Sequence, residues 1–124
     1  MKLYHVLALP RFYEPIVNNR LPFKTIYKLT RLAQRVEQEK TFYQEQIQKL
    51  IEEYGQKEDG NLIYTEDGSS VKIIEGKEEE CNTKIFELND LDIDLSEFSF
   101  SVEEFDGLEL TMEQMDIIMP LIKI

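Results

Sequence analysis

The stretch from Leu21 to Tyr54 leaves this chain few ways to fold. Pro22 stands where a helix takes its first residue, a place where a missing N–H costs nothing. Apolar side chains then recur at Phe23, Ile26, Tyr27, Leu29, Leu32, Ala33, Val36, Tyr43, Ile47, Leu50, Ile51 and Tyr54, in steps that are mostly three and four. No Gly or Pro interrupts the run, and Gly55 follows it, where a left-handed C-cap is cheap. A helix over about 22–54 is roughly 50 Å long at 1.5 Å per residue. The other segments are too short to stand alone and are expected to pack along it.

Residues 3–19 read as a helix-like lead-in. Tyr4, Leu7, Ala8 and Phe12 fall near helical spacing, while Pro10 and Pro15 limit any continuous helix. Val6, Leu9 and Ile16 are expected to pack this segment back on the long helix as a helical hairpin.

Beyond Gly55, Leu62–Thr65 and Val71–Ile74 read as two strands, with Asp67-Gly68 as the primed turn between them. Gln56 to Asn61 reads as a polar loop. Glu78, Glu79 and Glu80 open a helix whose Cys81, Ile85 and Leu88 face inward together. Leu91, Ile93 and Leu95 alternate with Asp92 and Asp94, and Phe98, Phe100 and Val102 alternate with Ser99 and Ser101, as half-buried strands do. Thr111 and Gln114 form a capping box before a short helix with Met112, Met115, Ile118 and Met119, which Pro120 ends. Leu121, Ile122 and Ile124 are expected to dock on the core. The fold expected is α+β: a helical hairpin dominated by one long helix, with a β-hairpin, short antiparallel strands and a short C-terminal helix packed on it.

A length of 124 residues fits a single domain, 1–124, and a hydrophobic fraction of 42% fits a modest core. No apolar run approaches the roughly 20 residues that span a bilayer, so no membrane partner is expected. Val6 to Leu9 is cut off by Pro10 and Arg11 before a signal-peptide core can form, which leaves a cytoplasmic or particle-associated protein as the expectation. One cysteine, Cys81, excludes an internal disulfide.

Charge is divided along the chain. Residues 1–49 hold nine Lys or Arg against four Glu, a net +5, and residues 50–124 hold five Lys against twenty-one acids, a net −16; the total is −11. Such asymmetry marks an interaction tail or an acidic half folded back on a basic helix. Lys24, Lys28, Arg31 and Arg35 share one face of the long helix, either as a phosphate-contacting stripe or as cations paired with the acidic half. Nucleic-acid-binding domains are usually basic overall, so direct nucleic-acid binding is not expected.

Catalytic patterns are absent from the sequence. His5 is the only histidine, which excludes paired-His metal and acid–base sites. Cys81 follows three glutamates that raise a thiol pKa, and its helical phase suits a small core residue. There is no Gly-rich phosphate loop and no nucleophile elbow. Asp90, Asp92 and Asp94 would share one strand face, yet a calcium loop needs a Gly at its sixth position and a Glu at its twelfth. No cofactor and no metal are expected. An ordered carboxylate surface can, however, imitate a phosphate backbone and fill a basic groove.

Leu91-Asp92-Ile93-Asp94-Leu95, Gly107-Leu108-Glu109-Leu110-Thr111 and Met119-Pro120-Leu121-Ile122 together resemble the tail of a family of small uncharacterised phage and prophage proteins. The front of that family is similar too, with a Leu-Pro step like Leu21-Pro22, a long charged helix, a tyrosine like Tyr54 and a loop like Asp59-Gly60-Asn61. The family has no assigned activity or catalytic residues. The resemblance implies a viral or prophage setting and a non-enzymatic role. The expected function is therefore protein–protein interaction, virion-associated or in assembly, with Asp90, Asp92, Asp94, Met112, Met115 and Met119 as candidate contact residues. The alternative is an acidic nucleic-acid-mimicking inhibitor of a host or defence nucleic-acid-binding protein.

Overall fold

The long helix, α3, runs unbroken from Phe23 to Tyr54, 32 residues. Pro22 sits just before it, and its carbonyl accepts the Ile26 N–H at 3.1 Å. The computed structural model describes residues 1–123; Ile124, expected to dock on the core, lies outside them. The molecule is mainly helical, with one short antiparallel hairpin and a short C-terminal helix. Two compact units are resolved: Met1–Lys40 with the segment from Leu91 onward, and Thr41–Asp90.

In the first unit, α1 (Leu3–Val6), α2 (Pro10–Tyr13) and a 3-10 turn (Glu14–Ile16) form the lead-in. Each proline begins a new turn, since it lacks the N–H that would continue the previous one. Leu3, Val6, Leu9, Phe12, Tyr13 and Ile16 are buried. On α3 the buried positions are Thr25, Leu29, Leu32 and Val36, at steps of four, three and four. Phe23, Ile26 and Tyr27, part of the expected apolar stripe, are exposed instead. At about 100° per residue, Thr25 is in phase with Leu29 and Val36, whereas Phe23 and Tyr27 fall on the far side.

The two alternating runs between Leu91 and Val102 do not form strands. The first makes one antiparallel bridge, Lys2 to Asp92, with Leu3 N donating to Leu91 O and Ile93 N to Met1 O, both at 2.8 Å. The second makes one parallel bridge, Phe100 to Ile122. Each run meets only a few residues of extended partner, so the pairing cannot lengthen into a ladder. Val102 opens a 3-10 turn, Val102–Phe105, and is exposed. Helix α5 (Met112–Ile118) is capped as expected: Gln114 N donates to Thr111 Oγ1 at 3.1 Å and Thr111 N to Gln114 Oε1 at 2.9 Å. Phe12 meets Phe105 edge-on, ring centroids 5.2 Å apart, and Phe100 lies 5.5 Å from Phe105. Ile118 and Leu121 join this core.

In the second unit, residues 41–54 of α3 carry the only ladder among the described residues and a second helix. Strands β1 (Lys57–Glu58) and β2 (Asn61–Leu62) pair through Asp59-Gly60, both at positive φ, 52° and 82°. That is the primed two-residue turn which Asp67-Gly68 was expected to supply. Around Asp67-Gly68 only the glycine is at positive φ, 71°. Thr65 Oγ1, Ser69 N and Ser69 Oγ all donate to the Asp67 carboxylate, at 2.6, 3.1 and 2.8 Å, and close a longer loop between Thr65 and Ser70. The expected 62–65 and 71–74 strands meet at a single bridge, Tyr64 to Val71. Gln56, Ile63 and Lys72 then bond in a ring: Gln56 N to Lys72 O, Lys72 N to Ile63 O, Ile63 N to Gln56 O.

Gly55 is not left-handed, contrary to its reading as a C-cap. It is needed for space: a Cβ there would lie 2.5 Å from Ile51 O and 2.8 Å from Leu62 Cδ2. Helix α4 (Glu78–Asn89) turns Cys81 and Leu88 inward and leaves Phe86 exposed.

Candidate protein-interaction surface

The basic face of α3 divides in two. Lys28 donates to the Glu104 carboxylate at 3.0 and 3.1 Å and to Ser99 O at 2.9 Å, and it lies 5.4 Å from the centre of the Phe100 ring. Arg35 bonds Glu39 at 2.9 Å and reaches Glu97 at 3.8 Å. Lys24 and Arg31 make no ion pair among the described residues; the Arg31 guanidinium lies 6.0 Å from the Tyr27 ring centre. The stripe is therefore part structural and part open.

Glu104 is the residue that sequence reasoning missed. It accepts from Ser101 N at 2.8 Å and from the Thr25 hydroxyl at 3.3 Å, as well as from Lys28. Burial pushes its pKa up, but the Ser101 N–H, the Lys28 ammonium and the Thr25 hydroxyl outweigh that and hold it below the ordinary value. The signal was present as Ser101-x-x-Glu104, the spacing of a capping box. The alternation of Phe98, Phe100 and Val102 concealed it.

The three aspartates do not sit on a strand. Asp90 ends α4 in the second unit, whereas Asp92 and Asp94 belong to the first. Asp92 pairs with Lys2 at 3.1 Å. Asp94 accepts from Ser96 N at 2.9 Å, and hydrogen bonding from Ser96 lowers its pKa. Of the methionines, Met112 and Met119 are exposed, and Met115 is half-buried against the core. Among the described residues no three His, Cys, Asp or Glu side chains gather closely enough to hold a metal ion. No helix among them is long and apolar enough to cross a membrane. Cys81 is buried, and burial followed by the Glu53 charge raises its thiol pKa.

What remains is the outer side of α3 at its start. Phe23 is 86% exposed, Tyr27 56% and Ile26 43%. Beside them Val17, Leu21, Ile26 and Ala33 line a groove of about 490 Å³ between the lead-in and the helix. No protein-family model, no curated protein and no solved structure matches this chain. The aromatic patch and the groove are exposed apolar features of the first unit. No reading of the sequence singled them out, because their residues repeat with the same period as those that fill the core.

Proposed function

We propose that this chain is a non-enzymatic protein–protein interaction protein of phage or prophage type, working in the virion or in its assembly, in the host cytoplasm. The observation that carries the reading is the exposed Phe23, Ile26 and Tyr27 patch. Interface centres are rich in aromatic side chains, and clustered exposed apolar residues mark contact sites. The phage setting rests on the sequence resemblance.

Phe23→Ser with Tyr27→Ser tests this. Both positions are exposed, so the fold should keep its stability within about 0.5 kcal/mol. Affinity capture from infected or lysogenic cells should hold a partner when salt is raised to about 0.5 M, where exposed charge pairs are largely screened. The double variant should lose it.

A second reading, the acidic mimic, is favoured by one observation. Residues 41–90 hold five Lys against thirteen acids, a net −8, so the second unit carries most of the charge. A partner released by salt and indifferent to the Phe23 and Tyr27 changes would support that reading instead.

A further inference from the structure

The first unit is divided in charge as it is in sequence. Residues 1–40 hold eight Lys or Arg against three Glu, a net +5, and residues 91–124 hold one Lys against nine acids, a net −8. Four ion pairs tie these segments together inside the unit: Lys2 to Asp92, Arg11 to Glu113, Lys28 to Glu104 and Arg35 to Glu97. Lys24 and Arg31 on one segment, and Asp116 on the other, make no ion pair among the described residues.

Each of these leftover charges borders an exposed apolar face. On α3, Phe23 and Tyr27 stand one turn apart, and Lys24 and Arg31 lie along one flank of them. On α5, Met112, Asp116 and Met119 follow at steps of four and three, and Met119 keeps helical angles, φ −49° and ψ −42°. They share the outer face, while Ile118 and Met115 turn to the core. Met112 is 84% exposed and Phe23 86%, so the two faces do not cover each other within one chain. They are complementary in kind: aromatic rings with cations on α3, thioethers with a carboxylate on α5. Thioether sulfur packs well against ring edges, and aromatic, Met and Arg side chains are the ones enriched at interface centres.

We propose that copies of this chain associate through these faces, the Phe23 and Tyr27 face of α3 in one copy lying on the Met112 and Met119 face of α5 in the next. The occupant is a second copy because the chain itself supplies both halves of the contact. Its net charge of −11 opposes any pairing of copies that does not set the cationic start of α3 against acids. Lys24 and Arg31 meet Asp116 and extend between copies the pairing that already joins the two segments within one. The contact links two different surfaces, so it closes into a ring or runs on as a chain, as assembly subunits do. The inference rests on the protein-interaction reading above and names the partner.

Sedimentation velocity of the full chain, at concentrations up to about 1 mM, tests this. The chain should sediment as a monomer when dilute and as larger species when concentrated. Lys24→Glu with Arg31→Glu should weaken association about tenfold or more, and so should Asp116→Lys, since each sets like charges together. All three changes in one chain should restore association to within about threefold of the unaltered protein, because the charges are then exchanged and matched. Met112→Ser with Met119→Ser should leave only monomer. Every position is exposed, and thermal melts show that each variant is folded. A chain that stays monomeric throughout, an assembly that none of these changes weakens, or a folded triple variant that does not recover would overturn the inference. If the chain is monomeric while affinity capture still holds another protein that Phe23→Ser with Tyr27→Ser releases, the inference fails and the interaction reading stands. Monomer together with an empty capture would remove both.

Discussion

Glu104 accepts hydrogen bonds from the Thr25 hydroxyl, the Lys28 ammonium and the Ser101 N–H. It joins α3, through Thr25 and Lys28, to the turn that starts at Ser101. Its pKa is lowered in the fold, so its contribution is complete above the ordinary value of 4.5 and fades as pH falls through the lower folded value. Glu104→Gln should cost about 1.5–3 kcal/mol at neutral pH, the range for hydrogen bonds to a charged group. Denaturation curves of the two proteins should converge as pH drops well below 4.5. Parallel curves at every pH would show that the charge is not what stabilises this junction. The residue types were plain in the sequence, and so was the Ser-x-x-Glu spacing. That Lys28 would turn to Glu104 while Lys24 on the same face would not depends on where the Ser99–Phe105 segment lies.

At the scale of elements, α3 was legible from end to end, because 32 residues without Gly or Pro in helical period admit no other regular structure. Its last residue was legible and its cap was not. Gly55 is required by the close approach of Ile51 O, Leu62 and Val71, which no local pattern reveals. Gly55→Ala should therefore destabilise by about 1–3 kcal/mol through overpacking, measured by urea denaturation. A neutral or stabilising result would show that the neighbours can give way. The two Asp-Gly pairs carry a similar lesson. Both are turns, but the hydroxyls of Thr65 and Ser69 bond Asp67 and keep it from the positive φ that Asp59 adopts. Flanking hydroxyls, not the dipeptide, separated the two outcomes.

At the scale of the molecule, the units differ in how well they are filled. The first has a continuous core of buried aliphatic and aromatic side chains. In the second, Tyr54, Cys81 and Leu88 are buried, while Ile47, Leu50, Ile51, Leu62, Val71, Ile73 and Ile85 stay half-exposed. Local stability follows buried apolar contact. Native-state hydrogen exchange should accordingly show weaker protection at Gln56, Ile63 and Lys72 than at Leu29, Leu32 and Val36. Equal protection would mean that the two units open only together.

The order of residues was enough to establish a helix-dominated chain, its capped C-terminal helix, an inward-facing Cys81 and the want of any familiar catalytic pattern. These follow from spacing and composition, which act over a few neighbours. It was not enough to say which apolar residues of α3 would be covered. Burial is settled by whichever segment arrives from far along the chain, and Phe23 and Leu29 look alike until the lead-in and the Phe98–Phe105 stretch have taken their places. The exposed patch of Phe23, Ile26 and Tyr27 exists only once that packing is complete.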